Sequence, residues 1–153
     1  MTDATAPAPE VVSLTLPSRL ELLVVLDRVT LALCERMEFD EDACSQFSMS
    51  VIEAGTNAVQ HGHMRDASKN FDARFLIYPD RLVVEVRDFG KGFDAGGATP
   101  DVTDAEHIFD MRGRGIYIMR ACCDSVDFQS GPGGTLCRLA KYRPVPVQRA
   151  ADA

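Results

Sequence analysis

Ser50–His63, SVIEAGTNAVQHGH, is the stretch on which the fold turns. Read as a helix, it places Glu53, Asn57 and His61 at i, i+4 and i+8, so all three leave from one side. Ala54, Gly55, Thr56, Ala58 and Val59 between them are small or apolar and suit packing against a sheet. A carboxylate and an amide one turn apart on such a close-packed helix are costly to bury without partners. A solvated polar stripe is the alternative at this point, and the helix alone does not choose between the two.

The rest of the chain supplies the choice. Its 153 residues suffice for one domain with a sizeable core. No apolar run approaches membrane-helix length, and MTDATAPAPE lacks the basic and apolar regions of a signal peptide. Residues 1–10 are therefore expected to be a disordered arm, 11–143 the domain and 144–153 a loose tail, in a cytoplasmic protein. The formal charge of −7 argues against nonspecific binding to nucleic acid, which needs clustered Lys and Arg. Five cysteines without CxxC spacing read as reduced thiols, mostly core filling. His61-Gly-His63 has no third ligand at regular spacing, so zinc is set aside.

In chain order, Val11–Leu16 alternates as a strand. Ser18 and Glu21 form a capping box for a helix from Arg19 to Met37, and Asp40 is an N-cap for the helix that ends near Gly62. Residues 64–70 are a polar connector. Ala73–Tyr78 and Leu82–Asp88 make a hairpin around Pro79-Asp80. Residues 93–112 have the composition of a mobile loop, with a short helical turn near His107–Met111. Gly113-Arg-Gly115 opens a helix from Ile116 to Cys122. Ser125–Gln129 and Thr135–Tyr142 form a second hairpin. The expected architecture is an α/β two-layer sandwich: a mixed, mostly antiparallel sheet with helices on one face.

Three glycine-bearing segments bear on chemistry. No GxxxxGK[ST] is present, so there is no P-loop. Asp88-Phe-Gly90-Lys-Gly92 follows a strand, but no helix opens after it as a dinucleotide site requires. Gly113-Arg114-Gly115 does open a helix, where bare N–H groups, with Arg112 and Arg114 beside them, suit an anion. Taken alone it reads better as a tight turn into a core helix.

Glu53-x-x-x-Asn57 on a helix, Asp88-x-Gly90-x-Gly92 after a strand, Gly113-x-Gly115 before a helix and Gly134-Thr135 at the last strand occur in that order over residues 10–142. Together they resemble the GHKL ATP-binding superfamily, and most closely its compact anti-sigma factor serine/threonine kinases, whose first box EAGTNAVQHG resembles. The resemblance implies that Asn57 offers its amide oxygen to Mg2+, a cation that prefers oxygen ligands. It implies Glu53 as general base and Asp88 as acceptor for the adenine amino group of ATP. Gly90 and Gly92 would let the backbone pass close to the nucleotide. Gly113, Arg114 and Gly115 would wrap the phosphates, with residues 93–112, ending in Arg112, as the lid. Thr135 would add a hydroxyl near base or phosphates. His61 matches a family histidine, though a helix-end residue capping local backbone is an equal reading.

The same resemblance implies a kinase that phosphorylates a STAS-type anti-anti-sigma protein, sequesters a sigma factor and forms a homodimer, with no direct nucleic-acid or membrane contact. A nucleotide-gated binding module without phosphotransfer is the alternative, which the presence of Glu53 disfavours. A histidine kinase is disfavoured because no phospho-accepting histidine sits on a dimerising hairpin.

Overall fold

The computed structural model describes residues 7–91 and 111–144, with residues 111–113 as backbone only. Gly92 and the loop expected to be the lid, with its helical turn up to residue 110, lie outside the described residues.

The chain runs β1 (Glu10–Pro17), α1 (Leu23–Arg36), α2 (Glu41–Asn57), β2 (Asn70–Ile77), β3 (Arg81–Asp88), α3 (Met111–Cys122), β4 (Ser125–Gly131) and β5 (Gly134–Tyr142). The sheet order is β1-β2-β3-β5-β4, and every neighbouring pair is antiparallel. The expectation of a mixed sheet is corrected here, for a topological reason. Two helices join β1 to β2, so the chain returns to the end where β1 finished and β2 must run back. One helix joins β3 to β4, which gives those strands a common direction, but β5 lies between them and pairs with both.

This winding gathers the close of β1, the end of α2, the end of β3, the start of α3 and the start of β5 at one end of the sheet. The described parts of the sequence stretches singled out for chemistry lie there.

α1 buries Leu23, Leu26, Thr30 and Cys34, and α2 buries Phe47, Val51, Ala54 and Gly55 at helical spacing, so each presents one stripe inward. Phe71, Ala73 and Phe75 from β2, Leu82, Val84 and Val86 from β3, and Cys137 and Leu139 from β5 cover the facing side of the sheet. Period-two alternation puts these residues on one face. Leu76, Val83 and Ala140 form a small cluster on the other.

Asp40 caps α2 as its residue type suggests, with Oδ1 accepting from Ala43 N at 2.7 Å. The turn before it was not evident from sequence. Glu38 takes φ 61°, and Phe39 N donates back to Cys34 O at 3.1 Å, the closing bond of a Schellman motif. Buried Phe39 supplies the apolar contact that usually accompanies it.

Two helix starts are corrected. The chain enters α1 through a short 3-10 turn, Leu20–Leu22, whose N-terminus has no side-chain cap. Ser18 does not form the expected capping box, because its hydroxyl is committed to His63 at 2.5 Å. α3 begins at Met111, so Gly113, Arg114 and Gly115 lie within its opening turns and do not precede it.

No disulfide joins the described cysteines; Cys34, Cys44 and Cys137 are buried, while Cys122 and Cys123 are half-buried. Burial pushes the thiol of Cys123 up to about 11 and that of Cys137 up to about 12, which keeps both protonated and inert. No helix among the described residues is long and apolar enough to cross a membrane.

Candidate active site

Leu82, Val84 and Val86 occupy alternate, core-facing positions of β3, and the next position in that row is Asp88. A carboxylate thus stands at the end of an apolar row, only 6% exposed. Such a group needs donors. Its Oδ1 accepts from Gly90 N at 3.0 Å and from Thr135 N at 3.3 Å, across the Asp88↔Thr135 register pair. Among the described residues, no hydrogen bond to Asp88 uses Oδ2. That oxygen lies beside Gly62, where a Cβ would fall 2.5 Å from it.

The clasp around Asp88 depends on missing side chains. A Cβ on Gly90 would lie 1.9 Å from Gly62 O, and one on Gly134 2.0 Å from Asp88 O. Gly134 also has φ +125°, which L residues rarely adopt. Asp88, Thr135, Val86 and Cys137 from the sheet, with Ala54, Asn57, Ala58, His61 and Gly62 from α2 and the turn after it, line a single cleft. Phe128 of β4 closes its side. The cleft offers a slot of mixed polar and apolar lining with one carboxylate oxygen available in its wall, which suits a flat heterocycle carrying an exocyclic amino group.

Glu53 and Asn57 meet α3 at the neighbouring position. A Cβ built on Gly115 would lie 2.8 Å from Glu53 Oε2 and 3.9 Å from Asn57 Nδ2, so the absent side chain lets α3 close onto both. Desolvation by burial holds the Glu53 carboxyl above the ordinary glutamate range. An ionisable group perturbed by burial, beside an amide side chain and a helix, is the kind of group that serves proton abstraction. An amide oxygen such as that of Asn57 is the ligand type a hard cation like Mg2+ takes.

Asn57, Asp88 and Thr135 thus share one cleft, Glu53 and Gly115 adjoin it, and Gly90 braces it from behind. Thr135 acts on Asp88 through its backbone N–H, while its hydroxyl pairs with Ser130 Oγ at 3.1 Å. Arg114 is exposed on α3. Arg112 and Gly113 are seen as helix backbone, and Gly92 lies outside the described residues.

Sequence reasoning missed Gly62 and His63. α2 ends at Asn57, and the chain continues as a π-helical turn over Ala58–Gly62, with His63 N bonded to Ala58 O at 2.9 Å. The wider turn and the left-handed Met64 (φ 51°) and Arg65 (φ 61°) after it turn His63 inward. The sequence did carry one signal: a glycine and a histidine directly after an apolar helix and its polar stripe.

The family model for the histidine kinase-like ATPase domain matches residues 16–141. The chain belongs to this family. Among relatives of this histidine kinase-like ATPase, the serine-protein kinase RsbW of Bacillus subtilis is 29% identical over 136 residues, covering 86% of this chain and 84% of the relative. That of Halalkalibacterium halodurans is 25% identical over 149 residues, covering 94% and 91%. A crystal structure of the RsbU and RsbW domains of Rv1364c from Mycobacterium tuberculosis superposes with a TM-score of 0.64 at 16% identity. It covers 89% of this chain, which spans 34% of that one, and it supports the fold alone. The cleft is therefore found in a chain whose family is a histidine kinase-like ATPase domain.

Proposed function

We propose that this protein is an ATP-dependent serine/threonine-protein kinase and anti-sigma factor. It would phosphorylate a STAS-type anti-anti-sigma protein and sequester a sigma factor, acting in the cytoplasm as a homodimer. The observation that carries the kinase reading is the meeting of half-buried Glu53 with Asn57 against Gly115, beside the Asp88 cleft. A nucleotide-gated module would need Asp88 and Asn57 but no base. The similarity to serine-protein kinases points to the same chemistry.

In this reading Asp88 Oδ2 accepts from the adenine amino group, a contact guanine could not make. Its Oδ1 is held by Gly90 and Thr135 so that the carboxylate cannot swing away. Asn57 would hold Mg2+, which would supply charge neutralisation at the phosphates. Glu53 takes the proton of the acceptor serine or threonine hydroxyl as its oxygen bonds to the γ-phosphorus. The bond from that phosphorus to the β,γ-bridging oxygen breaks, and ADP leaves. A carboxyl held above its ordinary range is a stronger base for this step than a solvated one.

The test is transfer of label from γ-labelled ATP, with Mg2+, to a purified STAS domain. Transfer lost in Glu53→Ala with nucleotide binding retained supports the proposal. Transfer retained in that variant removes Glu53 from the base role, and no transfer by the unaltered protein to any STAS partner leaves the binding-module reading in its place.

A further inference from the structure

His63 is only 2% exposed, and neither the cleft lining nor the phosphoryl-transfer step uses it. Its ring is held between two distant segments. Nδ1 meets Ser18 Oγ, just after β1, at 2.5 Å, and Nε2 meets Phe89 N, just after β3, at 2.9 Å. A backbone N–H can only donate, so Nε2 carries the lone pair and the proton sits on Nδ1, donated to the Ser18 hydroxyl. Neutral imidazole in one tautomer satisfies both contacts. A protonated ring would set two N–H groups against each other at Phe89.

Phe89 stands between Asp88 and Gly90, whose N–H holds Asp88 Oδ1 at 3.0 Å. On the other strand of the clasp, Gly62 precedes His63 and its carbonyl oxygen packs against Gly90. His63 therefore fastens the α2 terminus to the loop that aims the Asp88 carboxylate.

We propose that His63 is the positioning residue of this cleft, keeping Asp88 aligned through the Phe89 amide, and that adenine-nucleotide affinity consequently falls when the protein is acidified. The proposal rests on the reading of the cleft as an adenine site.

The charged groups facing the ring are Asp88 from β3 and Asp66 and Lys69 from the connector; Ser18 is neutral. Burial disfavours the imidazolium and outweighs the two aspartates, with Lys69 acting in the same sense as burial. The ring is thus held below the ordinary histidine value of 6.5 and is neutral at physiological pH.

ADP binding with Mg2+ is measured by calorimetry from about pH 8 to about pH 5 for the unaltered protein, His63→Gln and His63→Ala. A glutamine carbonyl can accept from Phe89 and does not titrate. The ratio of the glutamine variant's affinity to that of the unaltered protein is expected to rise roughly tenfold on acidification. The alanine variant is expected to bind more weakly at every pH and to be rescued by glutamine. The comparison cancels titration of the nucleotide phosphates and of His61, which every form shares. Parallel pH profiles for the unaltered and glutamine proteins would overturn the proposal. So, independently of any variant or nucleotide, would nitrogen NMR showing His63 protonated on Nε2 in the free protein. Absence of ADP binding by the unaltered protein at every pH would remove the adenine-site reading itself, a failure distinct from both.

Discussion

Asp88 and Glu53 are both carboxylates in partly closed surroundings, and they differ in their donors. Two backbone N–H groups hold Asp88, whereas burial alone governs Glu53. Asp88→Asn loses the charge and sets an amide against the same donors. Its ADP affinity is expected to drop by roughly tenfold or more, as for a charge-assisted bond of about 1.5–3 kcal/mol; unchanged affinity in a titration would count against the adenine contact. Glu53 also bears on stability. Its folded value lies above its unfolded one, so its favourable contribution is complete below the ordinary value of 4.5 and is lost as pH rises through the folded value. At neutral pH the charged carboxyl costs stability. Glu53→Gln is therefore expected to melt higher than the unaltered protein at pH 7 while losing phosphotransfer; a lower melting temperature would show that the charge is compensated in the folded state. A functional group maintained at a cost to the fold is a common mark of an active site.

Among the elements, α3 decides how Glu53 is presented. Gly115→Ala brings a Cβ to 2.8 Å from Glu53 Oε2, the far end of a side chain that can move aside. Alanine is also the better helix former by about 1 kcal/mol. Thermal melting is expected to be unchanged or raised, while phosphotransfer falls on the order of 10–100-fold through displacement of the base. Unchanged activity would mean that Glu53 is not held against α3. In the sheet, Phe75 of β2 is fully buried, and Phe75→Ala is expected to cost about 3–5 kcal/mol in denaturant unfolding. A cost below about 1 kcal/mol would contradict the assigned core.

Much of this level was legible in the sequence, because it is written in local chemistry. Asp40 is a good cap, alternation marked the hairpins, and the glycine boxes fell at strand and helix ends. What was not legible depends on contacts made only after folding. Ser18 has a capping residue's composition, but a histidine 45 positions away takes its hydroxyl. The α2 terminus widens into a π turn that turns His63 inward, which helical periodicity cannot foresee. Glu38 takes a left-handed cap position usually given to glycine.

At the scale of the whole molecule, the antiparallel winding brings five chain segments to one end of the sheet, so the boxes read separately along the sequence become walls of one cleft. Half-buried Glu53 and buried His63 there give the fold opposing pH responses. His63 is depressed, so its contribution is present above the ordinary value of 6.5 and is lost as pH falls toward the folded value. Melting temperature is expected to decline below about pH 6.5 in the unaltered protein, and less so in His63→Gln; identical profiles would show the ring already solvated. The central claim is that this end of the sheet holds a magnesium adenine nucleotide. Calorimetric titration with ADP and with ATP at millimolar Mg2+ tests it most directly. The account expects saturable heat at one site per chain, and absence of binding heat from both nucleotides would contradict it.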